Sequence, residues 1–215
     1  MGWLAAALFR RVQAAGFYED LHRRAVALLP PGADGAAWLD VGCGPGLLAR
    51  LAVVRGYTVT AVDRDPAMIA AAALHPANDA LIRLRRLRFR TAALEDLTGW
   101  DPVSVVSAGS LLAVVPDRAA ALRQLLARLA PGGQLLLVEP SARMTLRHAL
   151  RWLVQSGGGA GGGGWLLLWA ATRTPARVVD RAGLDRILSA MAGTWRLEAV
   201  PLLDGMVTAW VISAA

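Results

Sequence analysis

The stretch Trp38-Leu39-Asp40-Val41-Gly42-Cys43-Gly44-Pro45-Gly46-Leu47 constrains this chain more than any other. The apolar run Ala36 to Val41 reads as a buried strand, and it enters a turn with glycine at every second position. Leu47 to Arg55 then reads as a helix. Glycine admits positive φ and lets a ligand approach the backbone closely. The helix start adds unpaired N–H groups. A strand, a glycine turn and a helix in that order open a βαβ unit, which commits the chain to a layered α/β architecture. The spacing is G-x-G-x-G, not the G-x-G-x-x-G of a dinucleotide site. Asp40, two positions before the first glycine, faces a pyrophosphate badly and suits a cationic amine.

The alternation continues. Tyr57 to Val62 reads as a second strand ending at Asp63, followed by a helix from Ala67 to Leu74. Arg86 to Arg90 and Val103 to Ser107 read as strands three and four. Arg118 to Leu129 is a helix with Leu122, Leu125, Leu126 and Leu129 on one face. Pro131-Gly132-Gly133 ends it, and Gln134 to Val138 is strand five. After Glu139-Pro140 the pattern breaks. Residues 142–155 look helical, 157–164 are seven Gly and one Ala, and 165–171 and 176–191 look helical again. Trp195 to Leu203 and Met206 to Ser213 read as two strands around Asp204-Gly205. Residues 3–15 and 18–29 read as two helices stopped by Pro30-Pro31-Gly32. The expected fold is a doubly wound, mostly parallel seven-stranded α/β sheet with an N-terminal helical cap and a helical insertion after strand 5. Residues 1–32 are the cap, 33–140 and 194–215 the sheet core, and 141–193 an insertion over the sheet edge, with a Gly-rich loop at 157–164.

Composition narrows the class. With 215 residues, the chain buries about 70% of its unfolded surface and folds without disulfides. Hydrophobic residues at 55% and charged residues at 18% exclude a disordered chain. The mean hydropathy of +0.43 is high, yet apolar runs such as Trp165 to Ala171 fall well short of the ~20 residues a spanning helix needs. Cys43 is the single cysteine, which leaves no intrachain disulfide and fits a cytoplasmic location. Arg10-Arg11 follows the first apolar stretch, the reverse of a secretory signal. All 23 basic residues are Arg and are dispersed, so the net charge of +7 selects no partner by itself.

The glycine turn resembles motif I of the class I S-adenosylmethionine-dependent methyltransferases. The resemblance continues in order through Val59-Thr60-Ala61-Val62-Asp63, Asp65-Pro66-Ala67-Met68-Ile69 and Leu129-Ala130-Pro131-Gly132-Gly133-Gln134-Leu135, and covers about residues 35–140. It implies a Rossmann-like methyltransferase fold and S-adenosyl-L-methionine as cofactor. By the same resemblance, Asp40 anchors the methionyl ammonium, and Gly42, Gly44 and Gly46 let the backbone pass under the methionyl and ribose groups; Cys43, in the same cofactor-binding turn, reads as a small buried filler and not a nucleophile. Asp63 and the adjacent Arg64 stand at the ribose diol, and Met68 packs on adenine. Members often carry an Asp at the end of strand three; here Ala93 stands there. Either the backbone of Ala93 and Leu94 or the side chain of Glu95 or Asp96 then takes the adenine amino group. The pattern from Val103 to Pro140 resembles the quinone and small-molecule branch, which includes the UbiE-like enzymes.

The acceptor side is less legible. Ser107, at the end of strand four, is expected to line the cofactor's methyl end. His148, on the helix after strand five, is the candidate base, and Tyr18 is expected to close over the cofactor. His22 and His75 read as ordinary structural histidines. Ser107-Ala108-Gly109-Ser110 lacks the Asn-Pro-Pro-Tyr type motif of amide and nucleobase methylation, so no nucleic-acid partner is expected. The Arg-rich 83–90 segment alternates with Leu84, Leu87 and Phe89 as a half-buried strand does, which argues against RNA binding. No metal is expected. Arg143, Arg147 and Arg151 are four apart and share a helix face. Beside Trp165, Leu167, Leu168 and Trp169 they frame an expectation of a small-molecule acceptor, lipophilic or anionic, and of peripheral membrane contact. A cofactor-binding regulator without turnover is the alternative from another class, and a nicotinamide-dependent oxidoreductase is disfavoured by the glycine spacing.

Overall fold

The computed structural model describes residues 11–33, 35–156, 162–172 and 178–215. One sheet holds β1 (Ala37–Val41), β2 (Thr58–Asp63), β3 (Leu87–Thr91), β4 (Val103–Gly109), β5 (Leu129–Pro140), β6 (Trp195–Leu202) and β7 (Val207–Ala214). Their order is β3-β2-β1-β4-β5-β7-β6. All pairings through β5 are parallel, while β7 runs antiparallel between β5 and β6. The chain winds outward one way from β1 to β3 and the other way from β4 onward. The switch point therefore lies between β1 and β4, where ligands bind outside the carboxyl ends of the strands. The expected doubly wound, mostly parallel sheet is what forms.

Strand periodicity divides the core. Trp38 of β1 faces one layer, with α1 (Gly16–Val26) and α2 (Leu47–Val54). Leu39 and Val41 face the other, with α5 (Arg118–Leu126) and α8 (Arg181–Ser189). Side chains two apart share a face, so Asp40 points with Trp38 toward α1. The remaining helices are α3 (Pro66–Ala73), α4 (Pro76–Arg83), α6 (Leu146–Gln155) and α7 (Gly163–Ala171), with a 3-10 turn at Leu94–Leu97.

Two elements differ from the sequence reading. The helix α4 was not expected. It starts on Pro76 with His75 as its cap, the imidazole accepting from the Ala77 N–H at 3.2 Å, and it buries only Asn78. The helix expected over 118–129 stops at Leu126, and Leu129 already pairs with Val103 in the sheet. The Pro131-Gly132-Gly133 turn thus lies inside β5 as an irregularity rather than before it. Glycine is required at Gly133, where a Cβ would sit 2.9 Å from the Ala130 carbonyl oxygen and 3.0 Å from that of Ser104.

The segment 141–193 divides between layers. Its α6 and α7 join the α1 layer, and α8 joins the opposite one. Phe17 and Tyr18 of α1 meet Trp152 of α6 and Trp169 of α7, with ring centroids 5.2–6.5 Å apart. The apolar surface expected at 165–169 is consequently mostly core: Leu166 and Trp169 are buried, Trp165 and Leu167 are half-buried, and Leu168 stays at 36% exposure. Of the Gly-rich loop, residues 157–161 lie outside the described residues, and Gly163-Gly164 open α7. Most of the first expected helix, 3–15, also lies outside them.

Candidate functional site

The glycine turn stands at the switch point. Gly42, Gly44 and Gly46 all have positive φ, of 70°, 52° and 82°. At Gly46 a Cβ would also lie 2.6 Å from the ring of Phe89 on β3, so the position excludes any side chain. The N–H groups of Gly42 and Cys43 donate to the Val62 carbonyl. Asp63, at the end of β2, clamps the same turn: its carboxylate accepts from the Gly44 N–H and the Asp65 N–H, both at 2.9 Å. A carboxylate has about four acceptor positions, so about two remain for a ligand.

Two cavities meet at Gly42. The larger, an open cleft of about 370 Å³, is lined by Gly42, Arg64, Ala93, Leu94, Glu95 and Leu111 among others. The smaller, of about 20 Å³, is walled by Gln13, Tyr18, His22, Asp40, Cys43 and Gly109, again with Gly42. The first lies on the β3 side of the turn and the second beneath α1.

Asp40 is 1% exposed. The Trp38 indole N–H donates to Ser107 Oγ at 2.7 Å, and the Ser107 hydroxyl donates to Asp40 Oδ1 at 2.7 Å. Asp40 Oδ2 is buried without a hydrogen-bond partner. Burial pushes its pKa from 3.8 up to about 7; the Ser107 hydrogen bond pulls it back, the negative charge of Asp63 adds to the rise, and the Ala49 backbone N–H on α2 pulls back a little further. A buried carboxylate with one oxygen unserved is costly unless a donor or cation completes it. Cys43, also buried, is held as a thiol well above its ordinary value by burial and the two carboxylates, which makes it an inert wall and not a nucleophile.

The other expected residues are placed as follows. Tyr18 lines the small cavity, and Arg64, Ala93 and Leu94 line the cleft. The Ala93 N–H donates to Asp96 at 2.9 Å, so Asp96 caps the 3-10 turn, and of the two neighbouring acids Glu95 is the one that lines the cleft, as Asp117 also does. Met68 is 1% exposed and is among the lining residues of neither cavity. Ser107 is fully buried, donates to Asp40 and is among the lining residues of neither cavity. His148 sits in the first turn of α6 with Nδ1 2.9 Å from the Thr145 hydroxyl, and it too lines neither cavity. Glu139, buried at the end of β5, accepts from the Leu112 and Ala113 N–H groups and pins the loop after β4.

His22 is the residue that sequence reasoning passed over. It is 3% exposed and lines the small cavity with Asp40. Burial lowers its pKa from 6.5 to about 4, partly offset by the hydrogen bond to Tyr18. The available signal was its spacing: four residues after Tyr18, it shares that residue's helix face.

A sheet in the order 3-2-1-4-5-7-6 with an antiparallel seventh strand, and an acidic glycine turn at its switch point, together define a class I S-adenosylmethionine-dependent methyltransferase fold. The chain belongs to the methyltransferase domain family, whose pattern matches residues 9–190. A ubiquinone biosynthesis O-methyltransferase of Xanthomonas euvesicatoria pv. vesicatoria is 37% identical over 105 residues, which is 48% of this chain and 42% of that protein. One from Caulobacter sp. (strain K31) is 33% identical over 130 residues, or 56% of this chain and 50% of that protein. The matched region is thus about half the length of these curated relatives or less. Among solved structures, the magnesium protoporphyrin IX methyltransferase of Synechocystis PCC 6803, with S-adenosylhomocysteine (SAH) bound, superposes with a TM-score of 0.68 at 19% identity, covering 97% of this chain and 94% of that one. A methyltransferase structure from Methanococcus maripaludis gives 0.69 at 15% identity, covering 99% and 93%. These two likenesses establish the fold.

Proposed function

We propose that the chain binds S-adenosylmethionine across the two cavities and transfers its methyl group to a small, apolar, lipid-like acceptor. The unserved Asp40 Oδ2 carries this reading. A buried acceptor-only oxygen in a cavity of about 20 Å³ matches an ammonium group, which is the size of a water molecule. Asp63, which clamps the turn and lines neither cavity itself, keeps acceptor positions suited to a vicinal diol, and Ala93, Leu94 and Leu111 of the cleft offer an apolar wall for a flat base. The residues present therefore fit the cofactor. When bound, it supplies a sulfonium-activated methyl carbon that an acceptor's lone pair takes in one displacement as the carbon–sulfur bond breaks. Asp40 and Asp63 hold the ligand on both sides of Gly42 and so fix what lies between, which is the main requirement of such a step. Tyr18, which lines the small cavity, is backed by an aromatic cluster with Phe17 and Trp169.

The acceptor class rests on two supports. Tyr18 gives the small cavity an aromatic wall, and the curated relatives are named as ubiquinone biosynthesis O-methyltransferases. A screen with methyl-labelled cofactor over phenols, quinols, fatty acids, phospholipids and thiols tests it. Label in a phenol or quinol supports the reading. Label only in a thiol or a polar amine overturns the acceptor class. Cofactor binding without label in any substrate favours a regulator without turnover.

A second observation favours contact with an anionic bilayer surface. Among the described residues no helix is long and apolar enough to cross a membrane. However, α6 exposes Leu146 (52%), Leu150 (56%) and Val154 (76%) at positions four apart. Arg147 and Arg151 flank this stripe, and the helix carries no acid. Apolar insertion beside cationic groups is the chemistry of an interfacial helix. Flotation with anionic liposomes at low salt is the expected result, with loss on Leu150→Glu. Absence of flotation by the intact protein at low ionic strength contradicts it.

A further inference from the structure

The small cavity holds more unpaired acceptors than Asp40 alone. Gln13 Oε1 is also buried without a partner, and Gln13 lines the same cavity. His22 adds a third. Its Nδ1 lies 2.8 Å from the Tyr18 carbonyl oxygen. A carbonyl only accepts, so Nδ1 carries the proton and Nε2 is left with a lone pair. That Nε2 lies on the Gly109 side, 3.7 Å from where a Cβ on Gly109 would stand. The depressed pKa of His22 keeps the ring neutral at physiological pH and so preserves the acceptor. The one thiol on the wall, Cys43, is turned to the Gly44 carbonyl.

We infer that this cavity is an ammonium cage, in which Gln13 Oε1, His22 Nε2 and Asp40 Oδ2 accept the three N–H bonds of one primary ammonium group. The inference rests on S-adenosylmethionine being the cofactor and adds two residues, from the N-terminal segment, that the motif resemblance does not supply. Three acceptor-bearing side chains on the wall of one water-sized space match in number the three donors of R–NH₃⁺. A carboxylate, which needs donors, does not match them. Asp40 supplies the charge, and Gln13 and His22 supply direction. The cage also makes α1 part of the cofactor site, so the ligand's amino end and the N-terminal cap order together.

Calorimetry with three probes at pH 7.5 tests the cage. S-adenosylhomocysteine carries the ammonium and the carboxylate, decarboxylated S-adenosylmethionine only the ammonium, and 5′-methylthioadenosine neither. His22→Leu and Gln13→Met are each expected to weaken the first two by about tenfold, the loss of one hydrogen bond to a charged group, and to leave 5′-methylthioadenosine unchanged. His22→Gln, which keeps an acceptor at that reach, is expected to recover most of the affinity. Equal loss for all three probes makes His22 and Gln13 structural and overturns the cage. Loss confined to S-adenosylhomocysteine assigns them to the carboxylate and also overturns it. Either result leaves the cofactor reading standing, whereas failure of the wild-type protein to bind any of the three removes both.

Discussion

Cofactor binding is expected to expel a proton from Asp40. In the free protein its pKa stands at about 7, because burial and the Asp63 carboxylate disfavour the charge. An ammonium placed against Oδ2 favours the carboxylate and returns the group to its ordinary range. Protonation of Asp40 thus competes with the ligand. At pH 6 about 0.9 proton is released per ligand bound, and at pH 7.5 about 0.25, from the titration of a single group. The same linkage makes the affinity for S-adenosylhomocysteine about eightfold weaker at pH 6 than at pH 7.5. Calorimetry in buffers of different ionisation enthalpy reads the proton count directly, and the isotherms give the affinities. Asp40→Asn is expected to abolish both effects and to weaken binding at pH 7.5 by about tenfold or more, as removal of a charged hydrogen-bond partner does. Ser107→Ala removes the bond that pulls the pKa down, so the proton release is expected to persist to higher pH. A pH-independent affinity with no proton exchange, in a protein that does bind the ligand, would refute the placement of the ammonium against Asp40.

Other consequences concern the fold around the site. Gly46→Ala forces a side chain into φ 82° and into the Phe89 ring; a loss of about 2–4 kcal/mol in urea unfolding is expected from strain plus overpacking. Ser107→Ala also strands the buried Trp38 indole N–H, at a cost of about 1–3 kcal/mol by the same assay. His22 has a folded pKa below its unfolded value, so its contribution is present above pH 6.5 and is lost as pH falls toward 4, by about 3 kcal/mol in all. Asp40, with its raised pKa, contributes in the opposite sense, stability rising as pH falls from about 7 toward 4. The comparison to make is therefore wild type against His22→Gln across pH 4–7. The wild type is expected to lose stability relative to the variant on acidification, and parallel curves contradict a buried neutral imidazole.

The parallel core was legible because its signals are local. The glycine turn, the run ending at Asp63 and the alternation through Val138 each declare a strand end within a few residues, and the sheet formed as read. The helix α4 was not legible: it buries only Asn78 and so shows no apolar stripe for periodicity to find. Pro131-Gly132-Gly133 reads as a helix stop, and only the approach of Gly133 to the Ser104 carbonyl shows that the turn belongs inside β5. Site residues on β1 and β2 could be named from their place beside the turn. On other elements Tyr18, Ala93, Leu94 and Ser107 could be named, but not what they touch, because that is set by contacts between distant segments. Ser107 reaches Asp40 across 67 residues of sequence, and His22 and Gln13 meet Asp40 only after α1 folds over the sheet. Trp169 looked like free apolar surface for a related reason, since its partners, Phe17 and Tyr18, lie about 150 residues away.

The central claim is that the glycine turn between Asp40 and Asp63 is a site for a sulfonium nucleoside. Parallel titration of the intact protein with S-adenosylmethionine and with NADH tests it most directly. Saturable, one-to-one binding of S-adenosylmethionine is expected, weakened about tenfold or more by Asp40→Ala and by Asp63→Ala, with no measurable binding of NADH. Preferential binding of NADH, or affinity for S-adenosylmethionine unchanged in both variants, would contradict it.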